Sequence, residues 1–324
     1  MNNGKIMIYG CGGCGIELAK TFHSTQRQEG LADIGTAYVD TSVSNIGNLV
    51  NDDSFMLVDA DIDGNAKVRK SNTDVIKAAA KLVPKRFTPG DLNVVVFSAA
   101  GGSGSVLGPL VASELQKQQD APVICVVVGS SESYIEISNT IDTVRTLDGL
   151  ARKSSKKPML MHLSNNYDGA ATSQVDMNVR ILISQLAVLA NGTHRGLDSA
   201  DLSVWADYCR APTCNMEPQL TEIKIVDSVD ELKMVKHPIS LVSVSVEKTA
   251  AGAVGANYSC YGLFTTTIPG GVSELHFVTY TTGLEDLMGE LENLRSDIED
   301  RERLRPHTKA ISAGVESDDD GMVL

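Results

Sequence analysis

Short apolar strands alternate with helical segments along the first two-thirds of this chain, and this alternation limits the possible folds more than any other feature. Six segments are short, rich in β-branched residues and bounded by Gly, Asn, Asp or Ser, as buried strands are. They occupy residues 5–10, 34–41, 55–59, 92–98, 123–129 and 159–164. Helical periods separate most of them. The pattern predicts an α/β fold with a doubly wound parallel sheet and a ligand site at the carboxyl ends of its strands.

The pattern changes after a long apolar segment. Residues 175–190 are apolar on nearly every face after Arg180, which predicts a central helix that is buried on all sides. Beyond it, alternating residues predict a mixed sheet backed by helices, with strands at 238–247, 258–268 and 274–282. The length of the chain fits two domains. We expect the first over residues 1–174, a connecting helix over 175–195 and a second, smaller α/β domain over 196–283.

The C-terminal part of the chain has a different composition. Leu284, Leu287, Leu291 and Leu294 recur at helical spacing among charged residues, which predicts a long helix over 284–306. The remaining residues, 307–324, are polar and include three consecutive aspartates. They predict an acidic tail that is disordered in the free monomer.

The charge balance argues against whole classes of function. The chain has 324 residues, with 28 Lys and Arg against 41 Asp and Glu, and its formal net charge is −13. General binding to nucleic acid or to an anionic membrane requires clustered basic residues, so neither partner is expected. No stretch of 18 apolar residues could span a bilayer, and we expect a cytoplasmic protein. Six cysteines are too few for a disulfide scaffold, and we expect reduced thiols.

Two glycine-rich segments each follow a predicted strand and open a helix. The first reads Gly-Cys-Gly-Gly-Cys-Gly over residues 10–15, and the second reads Ala-Ala-Gly-Gly-Ser-Gly-Ser over 99–105. Glycine permits positive φ and lets backbone N–H groups close on a phosphate at a helix N-terminus. One such segment could be a tight turn, but two in one sheet predict phosphate binding. A side chain at Gly104 is therefore expected to enter the phosphate space and abolish nucleotide binding.

The first glycine segment also fits other kinds of site. Cys11 and Cys14 form a C-x-x-C pattern at a strand-to-helix turn, which is the setting of thioredoxin-like redox sites. A zinc site that adds Cys209 and Cys214 is a weaker alternative, because these two lie far along the chain. Neither segment has the Gly-Lys-Ser/Thr ending of a P-loop, and the first lacks the full Gly-x-Gly-x-x-Gly of dinucleotide enzymes.

Taken together, the two segments resemble those of the tubulin/FtsZ superfamily, whose signature after the fourth strand is GGGTGSG or GG[ST]GS. The resemblance covers most of the chain and implies that residues 1–174 form a GTP-binding domain, which holds GTP or GDP. It also implies which residues surround the phosphates. They are Gly12, Gly13, Cys14, Gly101, Gly102, Ser103, Gly104 and Ser105.

Four further residues match positions at which this superfamily reads its nucleotide. Glu136 lies in a segment that resembles the ribose loop, although a solvated carboxylate at a helix start explains it equally well. Asn165 and Asn166 follow the sixth strand, where the family reads guanine, or they form an Asx turn. Asn178 resembles a second guanine-reading residue, and a lone Asn in so apolar a helix needs a partner. The family often stacks an aromatic residue on guanine four positions earlier, where this chain has Gln174.

Asp198 and Asp201 follow the long apolar helix in a segment that resembles the superfamily's catalytic loop. There, two acidic residues three apart project toward the nucleotide of the next subunit. The resemblance implies a GTPase whose hydrolysis is completed in trans. In isolation, Asp-x-x-Asp before a helix is more often an N-cap. Mg²⁺ is expected with the nucleotide; Asp61 or Asp63 could reach it, but a solvated acidic turn explains those two residues better.

The organisation of the chain is most similar to that of the phage-encoded tubulins of the PhuZ group, with plasmid-partitioning TubZ proteins next. It is shorter than eukaryotic tubulins, and it ends in a helix and an acidic tail instead of the long linker of FtsZ. The resemblance implies dynamic filaments that position a replicating phage assembly in the host cytoplasm, with the tail contacting the next subunit. Two other classes stay open: a nucleotide-dependent oxidoreductase, and a scaffold that binds GTP without hydrolysing it.

Overall fold

The computed structural model describes residues 4–49, 51–165, 171–247, 254–264 and 271–304. Its strands are β1 (Lys5–Cys11), β2 (Asp33–Asp40), β3 (Phe55–Leu57), β4 (Leu92–Ser98), β5 (Val123–Gly129), β6 (Met159–Asn165), β7 (Leu220–Val226), β8 (Ser240–Ser245), β9 (Tyr258–Leu263) and β10 (Glu274–Tyr280). Its helices are α1 (Gly12–Lys20), α2 (Thr73–Ala80), α3 (Val83–Arg86), α4 (Gly104–Gln118), α5 (Tyr134–Leu150), α6 (Thr172–Leu189), α7 (Ser199–Ala206), α8 (Val229–Lys233) and α9 (Leu284–Arg303).

The strands of the described residues form one ten-stranded sheet in the order β3-β2-β1-β4-β5-β6-β7-β10-β8-β9. Strands β1 to β7 pair with one another in parallel. Strand β10 runs antiparallel to both β7 and β8, while β9 pairs in parallel with β8 at the edge. This is the α/β fold with a mostly parallel, doubly wound sheet that the alternation of segments predicts.

The C-terminal strands extend the first sheet. The sequence pattern does not predict strand β7, which joins the two halves of the sheet by pairing Leu220–Glu222 with Met159–Met161 of β6. Its sequence, LTEIKIV, carries two charged residues among apolar ones, so it lacks the continuous apolar run of the other parallel strands. The mixed part of the sheet, β7 to β10, is therefore continuous with the parallel part. The domain boundaries expected from the sequence stay a prediction.

Two hydrophobic cores cover the two faces of the sheet. Side chains alternate along β1, so Ile6 and Ile8 enter one core while Met7 and Tyr9 enter the other. The first core contains the apolar sides of α1, α6 and α7, and the second contains those of α2, α4 and α5. Both faces of the parallel strands are thus buried, which explains their nearly unbroken apolar sequences.

Helix α6 is buried only in part, so the prediction of burial on all sides is wrong. Met177 and Ile181 are 52% and 49% exposed, whereas Leu186 and Leu189 are fully buried. The end of the helix lies beside the amino ends of the first two strands, because the N–H of Ala32 donates to the carbonyl of Ala187 at 2.9 Å. The helix therefore runs from the carboxyl edge of the sheet, after β6, to its amino edge.

Helix α9 packs along α5. Leu291 is buried against Ile137 and Ile141, which forms a small separate core. At the surface, Arg145 pairs with Glu292 at 2.6 Å. The predicted helix over 284–306 is thus present as α9, and the acidic tail lies outside the described residues. None of the described helices is both long enough and apolar enough to cross a bilayer.

Candidate functional site

The two glycine segments meet in one cavity of about 470 Å³ at the carboxyl ends of β1, β2 and β4. Seven of the predicted phosphate-binding residues line it: Gly12, Gly13, Cys14, Gly101, Gly102, Ser103 and Gly104. The loops after β2 and β3 close the other sides, with Asp40, Ser42, Ser44, Asn45, Asp63, Gly64, Asn65 and Ala66. The structure therefore brings both segments together at the edge of the sheet where the sequence predicts a ligand.

Two helices begin at this cavity without a side-chain cap. Helix α1 starts after Cys11 and helix α4 after Ser103, and neither residue accepts a hydrogen bond from the helix. Elsewhere Ser133 caps α5 through its hydroxyl. The first N–H groups of α1 and α4 thus have no side-chain acceptor, and the positive ends of both helix dipoles face one space. Such a site suits an anion such as a phosphate.

The glycines of the two segments also pack against each other. Gly12 has φ +71°, and a Cβ atom there would lie 2.8 Å from the Cα of Gly104. A Cβ at Gly104 would lie 2.8 Å from the carbonyl oxygen of Cys11. The expectation that a side chain at Gly104 enters the phosphate space is therefore wrong, because it would first push the two segments apart. Gly101 differs, since a Cβ there would meet only the side chain of Ser98, at 3.9 Å.

Carboxylates, and no Lys or Arg, are found among the described residues that line the cavity. Asp40 is 2% exposed and accepts hydrogen bonds from the N–H of Thr41 at 2.7 Å and the amide of Asn45 at 3.2 Å. Burial raises the pKa of Asp40, and these hydrogen bonds oppose the rise. Asp63 accepts a hydrogen bond from Ser42 at 2.5 Å. The loop after β2 was not predicted to contribute, because it has no glycine-rich pattern.

The thiols at the cavity do not favour redox chemistry. Burial raises the pKa of Cys14 to about 12, and burial beside Asp40 raises the pKa of Cys11 further. A redox dithiol needs a lowered thiol pKa, because the thiolate is the reactive form. The described residues contain no His, Cys, Asp or Glu cluster that could hold a metal, which leaves the Cys209 and Cys214 alternative without support.

Two predicted residues use their side chains next to the cavity rather than inside it. The hydroxyl of Ser105 donates to the carbonyl of Gly101 at 2.5 Å and so holds its own loop. Glu136 is 8% exposed and pairs with Lys67 at 2.5 Å, so it is not a solvated carboxylate. Burial alone would raise the pKa of Glu136, but hydrogen bonds from Lys67 and Ser130 outweigh it and lower that pKa.

A clamp that the sequence does not reveal holds the loop after β3. The amide of Asn139 donates to the carbonyls of Lys67 and Ala100, both at 2.9 Å, and so ties this loop to the second glycine segment. Arg69 donates to the carbonyl of Ser105 at 2.8 Å. Ala66 and Lys67 have φ of +44° and +62°, a conformation that costs free energy for residues with a Cβ. Helix α5 therefore holds a strained loop against the cavity.

The predicted guanine-reading residues have mixed outcomes. Asn165 is the last residue of β6, and Asn166 lies outside the described residues. Asn178 is exposed on α6, where its amide oxygen accepts a hydrogen bond from Gln174 at 3.0 Å. The argument that burial demands a ligand for Asn178 is therefore wrong, and its role in reading guanine stays a prediction.

Asp198 and Asp201 lie at the opposite edge of the sheet and form a capping box on α7. Asp198 accepts from the N–H groups of Ala200 and Asp201 at 2.8 and 3.0 Å, and Asp201 accepts from the N–H of Asp198 at 3.1 Å. One turn later, Ser203 donates to the carbonyl of Asp120, just before the start of β5. Asp198 is therefore the N-cap of α7 and Asp201 completes the capping box from the third helical position, as their spacing suggests. Both acids lie at the amino ends of the strands.

The family model "Tubulin/FtsZ family, GTPase domain" matches residues 5–154, from β1 to the end of α5. Residues 5–154 thus form a GTPase domain of the tubulin/FtsZ type. The matched region contains both glycine segments and all the described residues of the cavity lining. The cavity is thus part of a GTPase domain, whose nucleotide is GTP or GDP. The oxidoreductase alternative is set aside.

Phage proteins are among the relatives of this chain. The phage tubulin-like protein of Pseudomonas phage phiKZ is 28% identical over 306 residues, covering 91% of this chain and 90% of that protein. The phage tubulin-like protein of Pseudomonas phage PhiPA3 is 26% identical over 327 residues, covering 100% of both. The solved structure "Protofilament of TubZ from Bacteriophage PhiKZ" has a TM-score of 0.85 and 26% identity, covering 99% of each chain. The chain is thus similar to phage tubulins along its whole length.

Proposed function

We propose that this GTPase polymerises head to tail, and that each GTP is hydrolysed at the contact between two subunits. The observation that carries the proposal is the separation between the cavity and the two acids. The cavity lies at the carboxyl ends of β1, β2 and β4, whereas Asp198 and Asp201 lie beside the chain that enters β5. Helix α6 connects the two edges with 18 residues, and at 1.5 Å per residue it spans roughly 27 Å.

No side chain reaches across that distance, so acids that act on GTP must act on the GTP of a neighbouring subunit. Stacking the acidic edge of one subunit on the cavity of the next is a heterologous contact, and it repeats to give an open filament. A carboxylate in that position can orient the attacking water. The solved phage protofilament that resembles this chain supports such an assembly.

We infer that Mg²⁺ accompanies the nucleotide. The described lining of the cavity includes the carboxylates of Asp40 and Asp63 and no Lys or Arg, so no basic side chain there offsets the repulsion between these carboxylates and a polyphosphate. A hard divalent cation prefers oxygen ligands, and it keeps waters that such carboxylates can bind. Asp40 and Asp63 would hold it from the protein side, directly or through water, while the uncapped starts of α1 and α4 would hold the phosphates.

The acidic tail has a complementary surface. A groove of about 650 Å³ between α2, α4 and α5 is lined by five basic side chains and one acidic side chain: Lys67, Arg69, Lys70, Lys77, Arg145 and Asp142. The tail has Asp318, Asp319 and Asp320 followed by three apolar residues. Opposite charges of this kind guide a segment into a groove and fix its register. We propose that the tail of one subunit binds this groove on the next.

The similarity to phage tubulins suggests where the filament acts and what it positions. A filament that gains and loses subunits with GTP turnover can position a phage replication assembly in the cytoplasm of the bacterial host. A plasmid-partitioning role, as for TubZ, uses the same filament with a different cargo, and localising the tagged filament in infected cells separates the two.

Phosphate release measured over a protein concentration series, with electron microscopy of the same samples, tests the polymer. The rate per subunit should rise above a critical concentration, at which filaments appear. A rate per subunit that is independent of concentration would contradict hydrolysis at the subunit contact. Filaments without phosphate release would instead indicate a scaffold that only binds GTP.

The same assay tests the groove. Lys77→Glu reverses a charge that lines it, and we expect the critical concentration to rise roughly two- to fivefold, as for one surface charge pair. Lys81→Glu makes the same change four residues later, at the C-cap of α2 and outside the groove, and should have little effect. Ending the chain before residue 312 should raise the critical concentration more than Lys77→Glu does. Equal effects of Lys77→Glu and Lys81→Glu on the critical concentration would contradict binding of the tail in this groove.

A further inference from the structure

A tyrosine on the edge strand contacts one of the two acids. The hydroxyl of Tyr258, the first residue of β9, donates to Oδ1 of Asp201 at 2.8 Å. The other oxygen of Asp201, Oδ2, accepts the N–H of Asp198 at 3.1 Å. Each oxygen of this carboxylate is therefore bound from a different element, which fixes both its position and its rotation.

The capping box does not require this tyrosine. Asp198 satisfies two N–H groups of α7, and Oδ2 of Asp201 completes the reciprocal bond without any help from β9. Tyr258 donates to Oδ1, the oxygen of Asp201 that the capping box does not use. Burial raises the pKa of Tyr258, and the hydrogen bond to Asp201 raises it further, so the hydroxyl keeps its proton and stays a donor.

Strand β9 also holds the start of the same loop. Arg195 and Leu263 exchange two backbone hydrogen bonds, both at 2.9 Å. The loop from Arg195 to Asp201 is thus attached at its beginning to the last residue of β9 and at its end to the first. A loop that is fixed at both ends to one strand can arrive at a neighbouring subunit with its carboxylate already placed.

We propose that Tyr258 is a positioning residue for GTP hydrolysis, which holds the Asp201 carboxylate in the orientation that the neighbouring subunit's GTP requires. The inference rests on the proposed function, in which Asp201 acts in trans. Tyr258 itself does not contact the reacting atoms. Its effect should therefore appear in the rate of the chemical step and pass through Asp201.

Replacing Tyr258 by Phe tests this role, because it removes only the hydroxyl. In filaments, Tyr258→Phe should lower kcat about tenfold, since a hydrogen bond to a charged group is lost, while KM for GTP and the critical concentration stay unchanged. The matched control is Tyr134→Phe, which removes a hydroxyl that donates to a different carboxylate, Glu299 on α9, at 2.9 Å. It should leave kcat at the wild-type value.

A double variant shows whether the effect passes through Asp201. In an Asp201→Asn background, Tyr258→Phe should lower kcat by less than twofold, because there is no carboxylate left to orient. A full tenfold drop in that background would overturn the positioning role and indicate a general loss of structure. Wild-type kcat for Tyr258→Phe, with Asp201→Ala inactive, would overturn the inference but leave the proposed function standing. Wild-type turnover in Asp201→Ala filaments would overturn both.

Discussion

The two ends of the parallel sheet form their sites in different ways, one mainly from the backbone and the other from side chains. At the carboxyl edge, the cavity is formed largely by backbone: glycines that pack on each other and helix starts without side-chain caps. At the amino edge, side chains form the site, since Asp198 and Asp201 bond each other's backbone and Tyr258 fixes the second acid. Where the glycines pack on each other, a substitution disturbs the fold together with the site, whereas a side-chain site allows function and stability to be separated.

The largest effect is expected at the carboxyl edge. Gly104→Val would place its Cβ 2.8 Å from the carbonyl oxygen of Cys11, a backbone atom that cannot turn away. We expect a loss of roughly 1–3 kcal/mol in the free energy of unfolding. Urea unfolding without nucleotide, followed by intrinsic fluorescence, measures this cost separately from GTP binding.

Gly101→Ala is the matched variant, because its Cβ has room beside Ser98 while the residue still lines the cavity. It should unfold at the wild-type urea concentration and bind GTP about tenfold more weakly in calorimetry, a change of roughly 1.4 kcal/mol. If Gly104→Val unfolds like wild type, the close packing of the two glycine segments is refuted.

The second effect is expected at the amino edge, where one position can be changed in two ways. Asp198→Ala removes the cap of α7 and should cost about 1 kcal/mol in the free energy of unfolding. Asp198→Asn keeps a good cap without the charge, so its unfolding should stay within about 0.5 kcal/mol of wild type. If the charge acts on the neighbour's GTP, both variants should lose turnover in filaments by at least about tenfold. If Asp198→Asn hydrolyses GTP at the wild-type rate and only Asp198→Ala is impaired, the turnover follows the stability of the fold. That result would show that Asp198 is only a cap.

The same contrast explains what the sequence could predict. The glycine segments are visible in the sequence because a backbone site requires glycine at particular positions, which leaves a pattern that is local in the chain. The bond between Lys67 and Glu136 joins residues 69 positions apart, and that between Asp201 and Tyr258 joins residues 57 apart. Such contacts depend on which strands and helices become neighbours, and no local pattern encodes that.

Helix α6 and strand β7 illustrate the limits of hydrophobic pattern. The apolar residues of α6 predict burial on all sides, but Met177 and Ile181 are exposed at the edge of the sheet where the helix begins. Hydrophobicity shows that a residue can be buried, and the packing of the other elements decides whether it is. In β7 the charged residues conceal a strand whose position is set by its neighbours β6 and β10.

The smallest effect is expected from an ion pair that supports the carboxyl edge through side chains, between Lys67 and Glu136. Glu136 is buried beside Lys67, and the hydrogen bonds from Lys67 and Ser130 lower its pKa below the ordinary value of 4.5. A carboxyl group whose pKa is lower in the folded state stabilises the fold above its unfolded pKa, and this contribution disappears as the pH falls through the folded pKa. At pH 7, Glu136→Gln should therefore lower the Tm by roughly 2–4 °C, and the difference from wild type should shrink as the pH falls below 4.5.

Glu114→Gln is the control, because it breaks an ion pair with Lys117 inside one helix, which should contribute less. A Tm difference for Glu136→Gln that stays constant down to the acid limit of the native state would mean that the pair is not ionised as described, and that the loop after β3 is held by Asn139 and Arg69 alone.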